Sequence, residues 1–328
     1  MKLNVYDKQL NRIAIIGESY VSCLWAEGYN TVENFTVELR KTSEYMQKIR
    51  PGVYVGRNDR KALAVIESVE IKDTSIVASG KTAARVLDDV AFIGTLAAGA
   101  DFPAAIKTAY DASTKAENVE FSAPEITVSY SEEVKNKSFL EVCTLACQGS
   151  DVGFRAVRDN GVVKVEFYKP DANPTAIYAE KYGNLLVDAL TFSDAKYKNY
   201  CVVIGEDADK NSVRVDVDWR TDGEAKREIV VASSEHWEKT DTAETYAAKL
   251  RAVGAEKLAE CQRTFECAFT PYAEDFGTKF DLGDVVTLLL PEYGLKLQAR
   301  VKRVTQKGQN NGTKTTIEVG QITIINKR

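Results

Sequence analysis

From residue 285 onward, hydrophobic and polar positions predict three consecutive strands. Residues 285–290 are β-branched and leucine-rich, Pro291 to Gly294 are turn-forming, and residues 295–302 alternate. Leu295, Leu297, Ala299 and Val301 fall on one side of that alternation and Lys296, Gln298, Arg300 and Lys302 on the other, the pattern of a strand with one buried face. A polar loop over residues 307–312 leads to a third strand, 313–319. A fainter copy stands near the start: Gly52, a short run 53–55, a turn at 56–59, a long strand 62–72 and a closing strand 75–80. Gly52 lies 28 positions before Gly80 and Gly283 lies 37 before Gly320, a difference that fits in the loops. One copy at long range, as opposed to a short period repeated many times, predicts a β-domain that occurs twice.

The remaining pattern fills in around these two units. Residues 3–6, 13–16, 21–28 and 35–39 are short β-prone runs that complete a first domain ending near Ile93. Ala83, Ala84, Val86, Leu87 and Val90 have helical spacing and predict a short amphipathic helix over residues 81–89. Asp101 with Pro103 predicts a capped helix, residues 118–130 read as extended, and Ser138 with Glu141 is a capping box opening a helix that ends at Gly149. Asp159-Asn160-Gly161 between two β-prone runs is a hairpin signal. Further strands are predicted at 200–205, 212–217 and 227–232, and the strongest helical periodicity lies between Thr242 and Cys261. Residues 264–269 lead into the final meander.

Composition places this β-rich pattern in an ordinary folded chain: 328 residues, 44% hydrophobic and 28% charged. A net charge of −5 argues against non-specific DNA binding, which needs surplus Lys and Arg. No run of 18 apolar residues occurs, and the first residues lack the basic, apolar and cleavage segments of a secretory signal. The six cysteines are scattered without CxxC pairs, which predicts reduced thiols in a protein made in a cytoplasm.

Candidate chemistry is sparse. The single histidine, His236, lies in a polar stretch and reads as a surface residue; Cys143 and Cys147 share a helical face and read as core thiols. Asp281 and Asp284 bracket Gly283 and read as a turn feeding a strand in preference to a hydrolytic carboxylate pair. Residues 149–153 have neither phosphate-loop nor nucleophile-elbow spacing. Lys296, Arg300, Lys302 and Arg303 form a basic stripe, either a solvated strand face or the lining of a passage for a polyanion. The expected site content is therefore no catalytic residue, no cofactor and no metal ligand.

Several separated motifs together resemble a known family. VYDKQLNRIA at 5–14, SCLW at 22–25, FTVEL at 35–39, IESVEI at 66–71 and VASG at 77–80 are similar to the first part of bacteriophage tail hub proteins of the siphovirus type. That family corresponds to the N-terminal region of tail-associated lysins and tail endopeptidase-type proteins. Gly153-Phe154, FYKP at 167–170, YKN at 197–199, REIVV at 227–231, AEKL at 255–258 and LGDVV at 282–286 continue the resemblance in order along essentially the whole chain. Two turn positions depart from it: no glycine precedes Phe35 in Val32-Glu33-Asn34-Phe35, and Asp171-Ala172 stands where Asp-Arg is usual.

The resemblance implies a mostly β, α+β fold of two similar β-barrel domains with inserted α/β domains, phage baseplate hub-like. With the residue pattern, it divides the chain into a first barrel (1–93), an α+β insert (94–175) and a second barrel region (176–328) with a helical insertion at 242–261. It implies a homotrimer of pseudo-sixfold symmetry joining a sixfold tail tube to a threefold tip. Implied partners are the tail tube or distal tail protein, the tape measure protein, and a tip spike, lysin or receptor-binding protein. DNA would enter only as cargo passing through the lumen, and no membrane anchoring is implied. The place of action would be the virion tail tip or baseplate, assembled in the bacterial host cytoplasm, in a phage, a tailocin or a related contractile injection system. Because the sequence ends at Arg328, eight residues past Gly320, the expectation is a structural hub without a lytic extension and without enzymatic activity. The competing class is a host-envelope-directed carbohydrate-binding or hydrolase domain, for which Trp25, Trp219 and Trp237 are too dispersed to form an aromatic platform.

Overall fold

The computed structural model describes residues 1–148, 150–172, 176–270, 275–309 and 312–327. The chain divides into two compact units, Met1–Ala189 with Cys267–Arg328, and Leu190–Glu266.

The first unit opens with β1 (Leu3–Tyr6) and β2 (Arg12–Gly17), an antiparallel pair joined by a turn in which the Asp7 carboxylate accepts from the amides of Gln9 (3.0 Å) and Asn11 (2.8 Å). Next come β3 (Tyr20–Gly28), β4 (Asn34–Arg40), the short helix α1 (Ser43–Lys48), β5 (Tyr54–Arg57), β6 (Leu63–Ile71) and β7 (Ser75–Thr82). β-branched and aromatic residues alternate inward from these strands, and Trp25, Phe35, Val37, Ile66 and Ala78 share one buried core. Where an amphipathic helix is predicted at 81–89, the chain makes a seven-residue 3-10 turn, Ala83–Asp89, that does bury Ala83, Ala84 and Leu87. Thr82, at its N-cap, makes no side-chain cap bond; its hydroxyl accepts from the Glu33 amide instead.

The chain then builds β8 (Ala91–Leu96), α2 (Phe102–Asp111), β9 (Val119–Phe121), β10 (Val134–Ser138), α3 (Phe139–Gln148), β11 (Gly153–Asp159) and β12 (Val162–Tyr168). Asp101 sits at the N-cap of α2, yet its carboxylate accepts from the Val128 amide at 3.1 Å and so fastens the following loop, not the helix. Of the extended stretch 118–130, only β9 is regular strand. The capping box is present: Ser138 N–H donates to Glu141 (3.1 Å), and Glu141 N–H donates to the Ser138 hydroxyl (3.2 Å). The expected helix stop at Gly149 lies outside the described residues. Asn160 (φ +45°) and Gly161 (φ +84°) form the two-residue turn joining β11 to β12. Tyr110, Phe121, Phe139 and Phe167 pack their rings in this core, together with Tyr6, Tyr54 and Leu63 from the first strands.

After β13 (Ile177–Ala179) and β14 (Leu186–Ser193), β15 (Tyr200–Glu206), β16 (Ser212–Asp218), β17 (Glu228–Ala232) and α4 (Ala243–Glu260) make the second unit. Its sheet has the order β16-β15-β17, and Tyr246, Leu250 and Leu258 of α4 bury against Cys201, Val203 and Val215. The Asp7 turn recurs here: Asp207 accepts from the amides of Asp209 (2.9 Å) and Asn211 (2.8 Å). The chain returns through β18 (Thr264–Thr270), β19 (Val285–Leu290), β20 (Leu295–Gln309) and β21 (Gly312–Lys327). The last two strands extend well beyond the predicted 295–302 and 313–319, and Lys307, Gly308 and Gln309 belong to strand, not loop. They are held there because β20 is paired on both edges, by β21 and by β3. Asn310 and Asn311, the centre of the expected loop, are outside the described residues.

The principal sheet has thirteen strands in the order β14-β18-β21-β20-β3-β4-β7-β6-β5-β1-β2, with β19 beside β20 and β13 beside β19; its two ends are not paired with each other. Two sets of strands within it have the same neighbours. One runs β1-β5-β6-β7-β4-β3 and the other β13-β19-β20-β21-β18-β14. The correspondence reaches individual hydrogen bonds. Gly52 and Gly283 both have φ +86°; their amides donate to Ile66 O (2.8 Å) and Val301 O (2.9 Å), and the amides of Ile66 and Val301 donate back to Val53 O (2.9 Å) and Asp284 O (2.8 Å). The copy is imperfect at one position, since β13 runs parallel to β19 whereas β1 runs antiparallel to β5.

These paired glycines give a test. A Cβ on Gly52 would meet only the flexible end of Lys8 (3.2 Å), whereas one on Gly283 would lie 2.5 Å from Tyr29 and 2.7 Å from Pro170. Gly52→Ala is expected to lose about 1–2 kcal/mol from the left-handed backbone alone, and Gly283→Ala about 1–3 kcal/mol more from overpacking. Urea unfolding midpoints of the two variants measure the difference, and equal losses would show that the contacts at Gly283 relax freely.

Candidate functional site: a continuous sheet and its charged seam

The two strand sets meet where β3 pairs with the C-terminal half of β20, from Arg303 opposite Gly28 to Gln309 opposite Ser22. Two rows of residues therefore run without interruption across five strands. On the core side the row is Gly80, Phe35, Trp25, Gln306 and Thr315. Trp25 is 1% exposed and meets Phe35 edge to face at 5.3 Å, while Gln306 is buried and donates to the Thr315 hydroxyl at 3.1 Å. On the opposite side the row is Ser79, Thr36, Leu24, Lys307 and Lys314, all half-buried or exposed. This second face is polar and built largely of short hydroxyl and flexible cationic side chains.

Arginine–carboxylate pairs tie the sets together. Arg57, almost fully buried, donates to the side-chain amide oxygen of Gln306 and to Asp59, and lies 3.6 Å from Glu27. Burial opposes ionisation of Asp59, but the Arg57 guanidinium outweighs it and holds the carboxyl below its ordinary range. Arg60 donates to Asp281 (2.9 Å) and lies 3.7 Å from the centre of the Phe276 ring. Arg155 of the β11–β12 hairpin donates to Glu166 (2.6 Å) and Asp281 (3.2 Å). Arg303 meets Glu33 at 3.0 Å. Of these groups, Asp59, Arg60, Arg155, Glu166 and Asp281 line a cleft of about 560 Å³ whose walls also include Glu27, Lys61 and Tyr168. Groups of both signs line it, so it resembles a cemented joint more than a pocket selective for one sign of charge.

The candidates from sequence fall as follows. His236 is exposed, and Cys143 and Cys147 are buried core thiols whose ionisation burial suppresses. Asp281 and Asp284 do form a turn: Asp284 accepts from the amides of Asp171 (2.7 Å) and Asp281 (2.6 Å), and Asp281 is engaged by two arginines. The basic stripe is not one face. Arg300 is 9% exposed and donates to Gly283 O (2.6 Å) and Asp151 (2.7 Å), Arg303 is ion-paired, and only Lys296 and Lys302 are exposed. Irregularities in the β20 register around residues 298–300 and 301–303 break the alternation that the sequence suggests. Trp25 is core, Trp219 is half-exposed and Trp237 packs on Tyr246 at 5.1 Å. Among the described residues no His, Cys, Asp and Glu cluster suits a metal.

The fold is that of phage tail proteins. The chain resembles the tail protein from Neisseria meningitidis MC58 with a TM-score of 0.60 at 12% identity, covering 98% of this chain and 96% of that one. It resembles the 43 kDa tail protein of prophage MuSo2 from Shewanella oneidensis with a TM-score of 0.61 at 11% identity, covering 97% of each. Prophage tail protein gp18 from Listeria monocytogenes EGD-e gives 0.57 at 12% identity over 100% of this chain and 95% of that one. No curated protein matches the chain in sequence. Residues 111–321 match the siphovirus ReqiPepy6 Gp37-like proteins, and the chain belongs to that family of phage tail proteins.

Two measurements test the seam. Asp281→Asn leaves Arg60 and Arg155 without their shared charge and is expected to cost about 1–3 kcal/mol, read from the urea midpoint; an unchanged midpoint would mean the pairs are fully replaced by water. Burial, with Asp281 and Asp171 nearby, raises the Asp284 carboxyl pKa against the two amides that lower it. Its stabilising contribution is complete below the ordinary carboxylate range and is lost as pH rises through the raised value. A carboxyl carbon NMR titration is expected to place Asp284 above about 3.9, the unperturbed value.

Proposed function

We propose that this chain is a structural, non-enzymatic hub of a phage or phage-like tail tip: a homotrimer of pseudo-sixfold symmetry that joins the sixfold tail tube to the threefold tip. The observation that carries this reading is the second strand set, which repeats the neighbour order of the first and the hydrogen bonds around Gly52 at Gly283. Two equivalent halves per chain and three chains per ring present six near-equivalent surfaces, the minimum needed for a threefold body to meet a sixfold ring evenly.

In this reading each strand set is an open barrel, in domains 1–93 and 176–328; the α+β insert is 94–175 and the helical insertion is 242–261. The polar face through Ser79, Thr36, Leu24, Lys307 and Lys314 lines the lumen. Its short hydroxyls and few charges suit DNA passing as cargo, because a dense basic lining would hold phosphates. The partners are the tail tube or distal tail protein above, the tape measure protein within, and a spike, lysin or receptor-binding protein below. Assembly takes place in the bacterial host cytoplasm and action at the virion tail tip. The membership of the chain in a siphovirus tail protein family and its fold likeness to prophage tail proteins support this assignment.

Light scattering of the purified protein, alone and with its tube protein, paired with negative-stain images, tests it. Three copies of the 36.3 kDa chain in a ring with six-lobed density are expected. A monomer under all these conditions, with binding to peptidoglycan or glycans, would replace this reading with an envelope-directed one.

A further inference from the structure

Resting on the ring reading above, the structure also points to the surfaces that close the ring. β6 and β20 are counterparts, each with an irregularity in its pairing to the following strand, between Ile66 and Ser68 in one and between Val301 and Arg303 in the other. On that alignment Ser68, Val69, Glu70 and Ile71 correspond to Arg303, Val304, Thr305 and Gln306. In β20 these four residues pair with β3 on the edge away from β21. In β6 the same edge has no strand partner among the described residues: β5 pairs only with residues 63–65, and Ile71 is 56% exposed.

The counterpart of β3 is β14, since β3 lies beside β4 and β14 beside β18. β14 ends the sheet, so its outer backbone edge has no strand beside it among the described residues. Its sequence, LVDALTFS, has no proline, glycine or lysine, and Leu186 is 59% exposed. Native sheets normally blunt an exposed edge with such residues. This one is left fit for pairing.

We infer that β14 of one copy pairs with the edge of β6 over residues 68–71 of the next copy, repeating between chains the β3–β20 junction made within each chain. The contact is heterologous, β14 of each chain meeting β6 of its neighbour, and it closes when three chains have each given and received one junction. The outer edge of β14 and the edge of β6 over residues 68–71 are then both occupied. Each intermolecular pairing spans only a few residues, so a single junction is weak and a closed ring of three is favoured over an open dimer.

Disulfide trapping in the full chain tests this. Glu70→Cys is combined in separate variants with Asp188→Cys, Leu190→Cys or Phe192→Cys, and mild oxidation is followed on non-reducing gels. Leu24→Cys with Lys307→Cys, directly opposite in the β3–β20 register, is the control that closes within one chain. At least one variant is expected to give bands at two and three times the 36.3 kDa chain mass, reversible by reductant and absent from each single-cysteine protein. If light scattering shows a trimer and the control closes, yet no pair links, the β14–β6 junction is wrong while the hub reading stands. If no trimer forms even with the tube protein, both fall.

Discussion

The structure depends on β20 having both of its edges occupied. A fifteen-residue strand carries a long row of amides and carbonyls that must find partners, and here β21 follows one edge while β19 and then β3 share the other. Because β19 leaves off at Arg300 and β3 takes over at Arg303, one strand belongs to both sets. That handover makes a single sheet of two repeats instead of two separate ones. It also fixes their register, since a shift by one residue would put Trp25 and Gln306 on the wrong face.

The handover has an electrostatic price, met by the arginines around it. Gln306 lies buried in the core row and is satisfied by Arg57 and Thr315; Arg300 and Arg303 are committed to Gly283, Asp151 and Glu33. Ion pairs at such a joint are directional, and they specify how one part meets another more sharply than apolar packing does. The β11–β12 hairpin is drawn into the same joint through Arg155, so the α+β segment is fixed to the sheet at its charged end and through the aromatic core at the other.

The Leu190–Glu266 unit is organised on different terms. It has its own three-stranded sheet, its own helix and its own core around Tyr246 and Leu250. It also holds most of the net negative charge of the chain, with sixteen acidic against twelve basic residues in its sequence. One structural echo of the larger unit is the Asp207 turn, which reproduces the Asp7 turn bond for bond. That is a local solution used twice, in contrast to the repeated strand order, which is a property of the whole sheet.

Sequence alone determined the elements whose signals are local. The Gly52 and Gly283 units, the Asn160-Gly161 hairpin, the Ser138–Glu141 box and the helix between Thr242 and Cys261 each follow from turn chemistry, capping or periodicity within a few residues, and each is present. The turn at Asp281-Leu282-Gly283-Asp284 also followed from local reading, because the segment has the composition of one. Tertiary structure decided what those elements do to one another. That Lys307 to Gln309 is strand, that Arg300 is buried, that Asp101 serves Val128 and that residues 83–89 tighten into a 3-10 turn all depend on groups far away in sequence. Hydrogen bonds and charges are satisfied by whatever the fold brings near, and period-two patterning carries no record of which strand, or which copy, will lie alongside.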